Sequence, residues 1–234
     1  TNHFETTINT FLSQLLTENT IESSYKSSIS AIWKDRVVKH QAYSKQIPFS
    51  DFKVFDFICQ NIPSNIQLQI SNSSAIRYLQ LFDLDKSVQV FCNRGTSGID
   101  GSTSTAIGAT VSNSLPTVLI TGDISFLYDS NALWNNYIPK NFKIILLNNS
   151  GGGIFRILPG HQETETFNTY FETSHQLNAS HLAKMFGFDY YEANDETSLI
   201  QQYKTFIAQS EKPSILEIFT PEKENNGILL DFFR

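Results

Sequence analysis

Polar and small residues follow four predicted strands of this 234-residue sequence, at the point where each strand ends. The four segments are residues 71–74, 93–101, 122–125 and 148–155. Each segment alone is typical of an ordinary turn, because Asn, Asp, Ser and Gly cap helices and tolerate unusual backbone angles. In an open parallel sheet, however, ligands bind beyond the carboxyl ends of the strands. The four segments together therefore predict one composite polar site.

The residue types in these segments suit a diphosphate that is held through a divalent cation. Asp123 and the pair Asn148-Asn149 offer the hard oxygen ligands that Mg²⁺ requires, and no His or Cys joins them to favour zinc or copper. Glycines at 151–153 allow the backbone to approach a ligand closely. Ser73 and Ser125 lie near predicted helix starts, where an anion is favoured and a hydroxyl can donate to phosphate.

Strands that alternate with helices are expected to position this site. Apolar patterns predict strands at 66–70, 89–92, 117–121, 142–147 and 214–219, a short strand near 190–191, and helices at 52–62, 74–82, 130–137, 178–186 and 196–209. The stretch 95–114 is rich in small residues and has no predicted element, and the acidic segment around 222–224 is predicted as a solvated loop. Nearly continuous apolar strands indicate a parallel sheet of about six strands with helices on both faces, an α/β fold, over residues 48–234.

The first 47 residues differ from the rest. Apolar residues recur at helical spacing from Phe4 to Leu16 and again from Tyr25 to Val37, with no glycine and no strand pattern, and Pro48 ends the segment. We interpret residues 1–47 as two helices that form a linker or the tail of a preceding domain.

Composition excludes several classes of function. The net charge of −6 argues against a nucleic-acid partner, because a phosphate backbone requires a basic surface. The longest apolar runs are too short to span a membrane. Cys59 and Cys92 suggest neither a disulfide framework nor a metal knuckle, so we expect a reducing, cytoplasmic location.

One motif pair resembles the signature of the thiamine-diphosphate enzymes, which is Gly-Asp-Gly followed after about two dozen residues by Asn-Asn. Here residues 122–124 read Gly-Asp-Ile and are followed, after 23 residues, by Asn148-Asn149; Ile124 replaces the third glycine. Residues 93–101, 122–133 and 148–159 resemble the branch of this family that acts in menaquinone biosynthesis, and the similarity runs from about Phe49 to the end.

The resemblance implies the thiamine-diphosphate-binding fold and a set of cofactor contacts. A metal ion, Mg²⁺ or alternatively Mn²⁺, would be held by Asp123, Asn149 and the carbonyl of Gly151. Ile99 would lie beneath the cofactor and force its bent form. The cofactor-binding set that follows from the resemblance is Asn72, Ser73, Gly98, Ile99, Gly122, Asp123, Ile124, Ser125, Asn149, Gly151 and Gly152.

The resemblance also implies the substrates. In this branch 2-oxoglutarate is decarboxylated on the cofactor, and the resulting succinyl carbanion adds to isochorismate. Both substrates are polyanions, so Arg77 and Arg94 are predicted to bind carboxylates, which guanidinium groups match bidentately. Ile154, Phe155 and Leu158 are predicted to form an apolar wall beside the substrate.

Members of the family are three-domain chains, and the similarity covers only the last domain. The resemblance implies an N-terminal domain that carries the activating glutamate, a central domain, and a homodimer or homotetramer in which that glutamate reaches across a subunit interface. No catalytic residue of that kind is expected within residues 1–234, so this portion alone should be inactive.

Other readings remain open from the sequence. An enzyme of the acetolactate-synthase type would differ in the number of substrate carboxylates. A dinucleotide-binding oxidoreductase would need Gly-x-Gly-x-x-Gly after the first strand, which is absent, and a non-catalytic regulatory module could retain the fold. His175 and His181 are interpreted as surface residues in a helical region, whereas Arg156 could either assist anion binding or be a solvated charge.

Overall fold

The computed structural model describes residues 5–18, 24–208 and 211–234, in two compact units of residues 1–45 and 46–234. The first unit consists of helix α1 (Ile8–Glu18) and helix α2 (Ser24–Gln46), whose last residue belongs to the second unit. Both helices predicted for the first 47 residues are therefore present, although Phe4, part of the first apolar pattern, lies outside the described residues. In the described ranges, no helix combines the length and the apolar character that a membrane crossing requires.

The second unit is built on a parallel sheet, as the sequence predicts. Its six strands in the described residues are β1 (Gln67–Ile70), β2 (Gln89–Cys92), β3 (Thr117–Gly122), β4 (Lys143–Asn148), β5 (Asp189–Ala193) and β6 (Ser214–Phe219). The strand order is β2-β1-β3-β4-β6-β5, and every neighbouring pair is parallel. The chain therefore moves outward to β2 and then returns past β1 to β3, which creates the crevice where ligands bind in such sheets.

Five helices of the described residues lie between successive strands: α4 (Ser74–Leu79), α5 (Ser102–Ser112), α6 (Asp123–Tyr128), α7 (Ser180–Phe186) and α8 (Glu196–Ile207). Helix α3 (Asp51–Asn61) precedes β1, and helix α9 (Asn225–Phe232) follows β6. Short 3-10 turns span Ser130–Trp134 and Gly153–Ile157, and a π-helix spans Phe167–Glu172.

Apolar side chains cover both faces of the sheet. Leu119 and Ile144 belong to one buried cluster, which also contains residues of α5, α6 and α7. Their neighbours Ile120 and Ile145 point to the opposite face, because side chains alternate along a strand, and they are fully buried as well. The predicted coverage by helices on both faces is confirmed.

Helix α5 was not predicted from the small-residue stretch in which it lies. Its sequence is rich in Ser and Thr, which have modest helix propensity, and contains one Gly, which has poor propensity. Ala106 and Ile107 are buried on the sheet, so tertiary packing stabilises a helix that local propensity does not specify.

One further prediction of secondary structure needs correction, because the helix predicted at 130–137 is only the 3-10 turn Ser130–Trp134. Residues 222–224 form a turn, in agreement with the predicted loop, but helix α9, which follows them directly, was not predicted. Packing explains this helix, since the ring of Phe232 lies 5.0 Å from that of Phe52 in α3.

Candidate functional site

A cavity of about 520 Å³ opens at the carboxyl edge of the sheet. The ends of β1, β3 and β4 meet there, because Ile70 pairs with Ile120 and Gly122 pairs with Leu147 in register. All sixteen residues that the sequence nominated for the site line this cavity, and their roles remain predictions. They are Asn72, Ser73, Arg77, Arg94, Gly98, Ile99, Gly122, Asp123, Ile124, Ser125, Asn149, Gly151, Gly152, Ile154, Phe155 and Leu158.

Asp123 is a buried carboxylate at the first position of α6. Its Oδ1 accepts a hydrogen bond of 2.7 Å from the backbone N–H of Ile124, and its Oδ2 accepts one of 3.0 Å from the N–H of Gly151. The helix dipole favours a negative charge at this position. The side chain is therefore held rigidly between the ends of two neighbouring strands.

Asn148 and Asn149 have different hydrogen-bond partners, although the sequence predicts them as a pair of ligands. Asn148 is buried, and its amide nitrogen donates to Glu217 and to the carbonyl of Leu177. Asn149 lines the cavity instead, and its amide nitrogen donates to Asp51 over 2.9 Å. Among the described residues its amide oxygen accepts no hydrogen bond. Only the second asparagine is thus available as a ligand.

The oxygen atoms of this edge fit a hard divalent cation. A carboxylate, a carboxamide and a backbone carbonyl lie at Asp123, Asn149 and Gly151, and these are the donors that Mg²⁺ and Mn²⁺ prefer. The Gly151 carbonyl accepts one hydrogen bond, from the N–H of Gly153, and each Asp123 oxygen accepts one as well, which leaves each oxygen a further lone pair. Among the described residues, no group of three or more His, Cys, Asp and Glu side chains could hold a metal ion. A cation here would therefore depend on the amide and carbonyl oxygens as well as on the single carboxylate.

The glycine loop after β4 has no room for side chains. Gly151 has φ +156°, and a Cβ there would lie 2.8 Å from the carbonyl oxygen of Glu172. A Cβ at Gly152 would lie 3.2 Å from the carbonyl oxygen of Phe171, while the N–H of Gly152 donates to Glu172 over 2.6 Å. The backbone can approach both the cavity and the π-helix only because these residues are glycine.

Replacing Gly151 by alanine should displace this loop, because the new methyl group meets a backbone atom that cannot rotate away. We expect a loss of stability of about 1–3 kcal/mol and weaker binding of a divalent cation in the full-length protein. Thermal unfolding and metal titration would measure both effects. Gly160→Ala is the matched control, since φ is +84° there but a Cβ meets nothing within 4 Å. Equal effects of the two substitutions would contradict the steric explanation.

A chain of polar contacts links the ends of β1 and β2. The amide nitrogen of Asn72 donates to the carbonyl of Gly98 over 3.0 Å, and Arg94 donates to the amide oxygen of Asn72 over 2.9 Å. Ser73 has φ 77°, an unusual value for a residue with a side chain, and its carbonyl accepts from Arg77 over 2.7 Å. The strained serine and both arginines are thereby fixed at the rim of the cavity.

Arg77 and Arg94 have no carboxylate partner among the described residues. Each donates a hydrogen bond to an oxygen of the protein, which leaves further guanidinium N–H groups for a ligand. Two unneutralised cations that line one cavity favour an anionic ligand.

The hydroxyl of Ser125 is already engaged. It donates to the carbonyl of Ile99 over 2.5 Å, so it could donate to a phosphate only after giving up this contact. The contact joins α6 to the loop that carries Ile99, and both residues line the cavity. In this arrangement Ser125 positions Ile99, and its own interaction with a ligand would depend on its backbone N–H.

The apolar part of the cavity comes from the turn Gly153–Ile157 and the π-helix. Phe155 lies edge-on to Phe171, with ring centroids 6.0 Å apart, and Ile154, Leu158 and Tyr170 complete this side. Arg156 does not line the cavity. Only 4% of its side chain is exposed, and it forms a bidentate ion pair with Glu172, so neither of its predicted roles is correct.

His175 was wrongly predicted to be a surface residue in a helix. It lies outside any helix, with 12% of its side chain exposed, and its Nε2 is 3.3 Å from Oδ2 of Asp123. The neighbouring Asp123 carboxylate raises the pKa of His175, while burial opposes the rise. His181, in contrast, is exposed as predicted.

Asp51 also lines the cavity and was missed from the sequence. It is 3% exposed at the start of α3, and burial raises its pKa to about 6 against the opposing hydrogen bonds from Thr220 and Asn149. Its only sequence signal is an acidic residue after Ser50, which is typical of the ordinary start of a helix.

Comparison with known proteins identifies the class to which this fold and site belong. The chain matches the family described as "Thiamine pyrophosphate enzyme, C-terminal TPP binding domain" over residues 72–218, which is more than half of its length. It therefore belongs to this family, as the resemblance predicts, and a dinucleotide-binding or non-catalytic module is not favoured.

Three curated relatives with one name illustrate the similarity. The chain is 59% identical over 233 residues to 2-succinyl-5-enolpyruvyl-6-hydroxy-3-cyclohexene-1-carboxylate synthase of Flavobacterium johnsoniae, which covers 99% of the chain and 42% of the relative. It is 60% identical to the synthase of the same name from Flavobacterium psychrophilum, which covers 100% and 42%. The synthase of Bacteroides fragilis is 42% identical over 190 residues, which cover 80% and 34%. The chain thus spans less than half the length of these relatives.

Proposed function

We propose that this chain is the diphosphate-binding part of a thiamine-diphosphate- and Mg²⁺-dependent 2-succinyl-5-enolpyruvyl-6-hydroxy-3-cyclohexene-1-carboxylate synthase. The observation that carries the proposal is the single cavity in which Asp123, Asn149 and Gly151 meet the unneutralised arginines Arg77 and Arg94. The names of the similar synthases and the family match support it. The substrates in this proposal are 2-oxoglutarate and isochorismate.

The protein groups bind and orient the reacting molecules. Bound thiamine diphosphate supplies the electron sink for decarboxylation and transfer of the succinyl unit. Asp123, Asn149 and the carbonyl of Gly151 would hold the divalent cation, and Mn²⁺ suits the same oxygen donors. Ile99, whose carbonyl accepts from the hydroxyl of Ser125, would support the bound cofactor.

Arg77 and Arg94 bind the substrate carboxylates in this proposal. Ile154, Phe155 and Leu158 line the cavity and would limit the access of water to the reacting groups. Exclusion of water strengthens each interaction between charges in the cavity, because the local dielectric constant falls.

The rest of the enzyme belongs to the proposal as well. We infer that the activating glutamate comes from an N-terminal domain, that a central domain precedes this chain, and that the complete enzyme is a homodimer or homotetramer. The share of 42% of the relatives' length agrees with two further domains. We expect residues 1–234 alone to be inactive.

The function is tested with the full-length protein, thiamine diphosphate and Mg²⁺. We expect consumption of 2-oxoglutarate that depends on isochorismate and releases carbon dioxide. Mass spectrometry would detect the product, 2-succinyl-5-enolpyruvyl-6-hydroxy-3-cyclohexene-1-carboxylate. Formation of acetolactate from pyruvate would instead favour the acetolactate-synthase type. Failure to bind thiamine diphosphate in the presence of Mg²⁺ would contradict the proposal.

Arg94→Ala in the full-length protein should weaken substrate binding and leave the cofactor in place. A hydrogen bond to a charged group contributes about 1.5–3 kcal/mol, so we expect a rise in KM for one dicarboxylate of roughly 10- to 100-fold. Thiamine-diphosphate affinity, measured by calorimetry, should stay close to that of the native protein. Arg234→Ala is the control, because Arg234 is an exposed arginine outside the cavity. Unchanged kinetics for Arg94→Ala would refute the assignment.

A further inference from the structure

Asp51 lies outside the segment that matches the cofactor-binding family, yet it touches the candidate metal site. The family match begins at residue 72, whereas Asp51 opens α3. Its side chain is buried and lines the same cavity as Asp123. A buried carboxylate is costly unless its oxygens are satisfied, so its partners indicate why it is there.

Three elements hold Asp51 in place. One carboxylate oxygen, Oδ1, accepts a hydrogen bond of 2.6 Å from the hydroxyl of Thr220, which follows β6. Its backbone N–H donates to Oδ1 of Asn225, the first residue of α9, over 2.8 Å. The other carboxylate oxygen, Oδ2, accepts from the amide nitrogen of Asn149 over 2.9 Å. Thr220 and Asn225, which do not line the cavity, therefore fix the carboxylate whose second oxygen meets Asn149.

The polarity of the contact with Asn149 follows from chemistry. An ionised carboxylate can only accept hydrogen bonds, whereas a carboxamide has a donor end and an acceptor end of similar size. Asp51 must therefore attract the nitrogen of Asn149, and this turns the amide oxygen away from Asp51. That oxygen accepts no hydrogen bond from the described residues, and Asn149 lines the cavity beside Asp123.

We propose that Asp51 is a positioning residue for the divalent cation: it fixes the carboxamide of Asn149 so that oxygen, and not nitrogen, is presented as a ligand. The inference rests on the proposed function, because the cation is the one that binds with the diphosphate. It assigns a role to a residue before the cofactor-binding segment, and it makes α3 part of the metal site. Groups that orient ligands in this way change metal affinity by about 10- to 100-fold.

Asp51→Asn in the full-length protein tests the inference. It keeps the size of the side chain, but it removes the carboxylate that requires Asn149 to present its amide nitrogen. The new carboxamide could then face Asn149 with either end, so the amide oxygen of Asn149 would no longer be held toward the cation. We expect the dissociation constant for Mg²⁺, measured by calorimetry with thiamine diphosphate present, to rise roughly 10-fold or more. The folded state is checked by circular dichroism and thermal unfolding.

Exchanging the side chains of Asp51 and Asn149 gives a second test of Mg²⁺ affinity. In the double variant Asp51→Asn, Asn149→Asp, the amide donates from position 51 and a carboxylate oxygen faces the cation, so most of the lost Mg²⁺ affinity should return. A role in folding alone does not predict this recovery. Asp129→Asn is the matched control, since Asp129 is a buried carboxylate outside the cavity that accepts two hydrogen bonds from Ser104.

The outcomes separate the inference from the proposed function. If the native protein shows no Mg²⁺-dependent binding of thiamine diphosphate, the proposed function fails, whatever Asp51 does. If the native protein binds and Asp51→Asn binds Mg²⁺ equally well, the positioning role is overturned. Should Asp51→Asn not fold, Asp51→Ser replaces it, and native Mg²⁺ affinity in that variant overturns the role in the same way.

Discussion

Asp123→Ala in the full-length protein is expected to abolish Mg²⁺-dependent binding of thiamine diphosphate. The substitution removes the only carboxylate among the three proposed ligands, and it also removes the acceptor for the N–H groups of Ile124 and Gly151. A cation that bridges a diphosphate cannot be held by an amide and a carbonyl alone at comparable affinity, because the charge of the ligand sets much of the binding energy. Calorimetry with and without Mg²⁺ measures the effect.

A second carboxylate provides the control for this substitution. Asp129 is buried, lies outside the cavity, and accepts hydrogen bonds from the N–H and the hydroxyl of Ser104. Asp129→Ala should therefore lower stability and leave the dependence on Mg²⁺ intact. If Asp123→Ala retains native affinity for the cofactor and the metal, the proposed cation site is wrong.

The position of the site could be predicted from the sequence because it follows from one topological rule. Apolar strands separated by helices indicate a parallel sheet, and the carboxyl ends of parallel strands share an edge. The segments after β1, β2, β3 and β4 must then lie close together, wherever each stands in the chain. Asp123 and Asn149 are 26 positions apart and line one cavity for this reason.

Residues that approach the site from elsewhere in the chain could not be predicted in this way. Asp51 reaches the cavity because α3 packs against α9. His175 lies beside Asp123 because its own backbone N–H donates to the carbonyl of Ser150. Both placements depend on tertiary packing, which produces no periodic pattern in the sequence. A polar residue near a helix start and a lone histidine are more often ordinary surface features.

The division of roles within the Asn148-Asn149 pair shows a similar limit. Both side chains follow the same strand and have the same chemistry, so the sequence treats them alike. The structure separates them, because β4 ends between a buried acid, Glu217, on one side and the cavity on the other. Side chains alternate along a strand, and this alternation decides which asparagine meets which partner. A shift of one residue in the register of β4 would exchange the partners of Asn148 and Asn149.

Glu172→Ala is expected to produce the largest loss of stability of the substitutions considered. The side chains of Arg156 and Glu172 are 4% and 1% exposed, and their bidentate pair joins the turn Gly153–Ile157 to the π-helix. Removing one partner of a buried ion pair leaves an uncompensated charge and costs about 3–5 kcal/mol. The unfolding midpoint of the full-length protein in urea measures the loss.

The remaining neighbours of Arg156 cannot replace this partner. Glu163 is half exposed, with its carboxylate 3.6 Å from Nη2, and the ring of Phe167 lies 5.6 Å from the guanidinium carbon. Combining Glu172→Leu with Arg156→Met should recover much of the loss, since apolar residues of similar volume often replace a buried pair without cost. Glu211→Ala, which breaks the exposed pair with Lys140, should change stability little. If Glu172→Ala has no larger effect than Glu211→Ala, the buried pair does not stabilise the fold as argued.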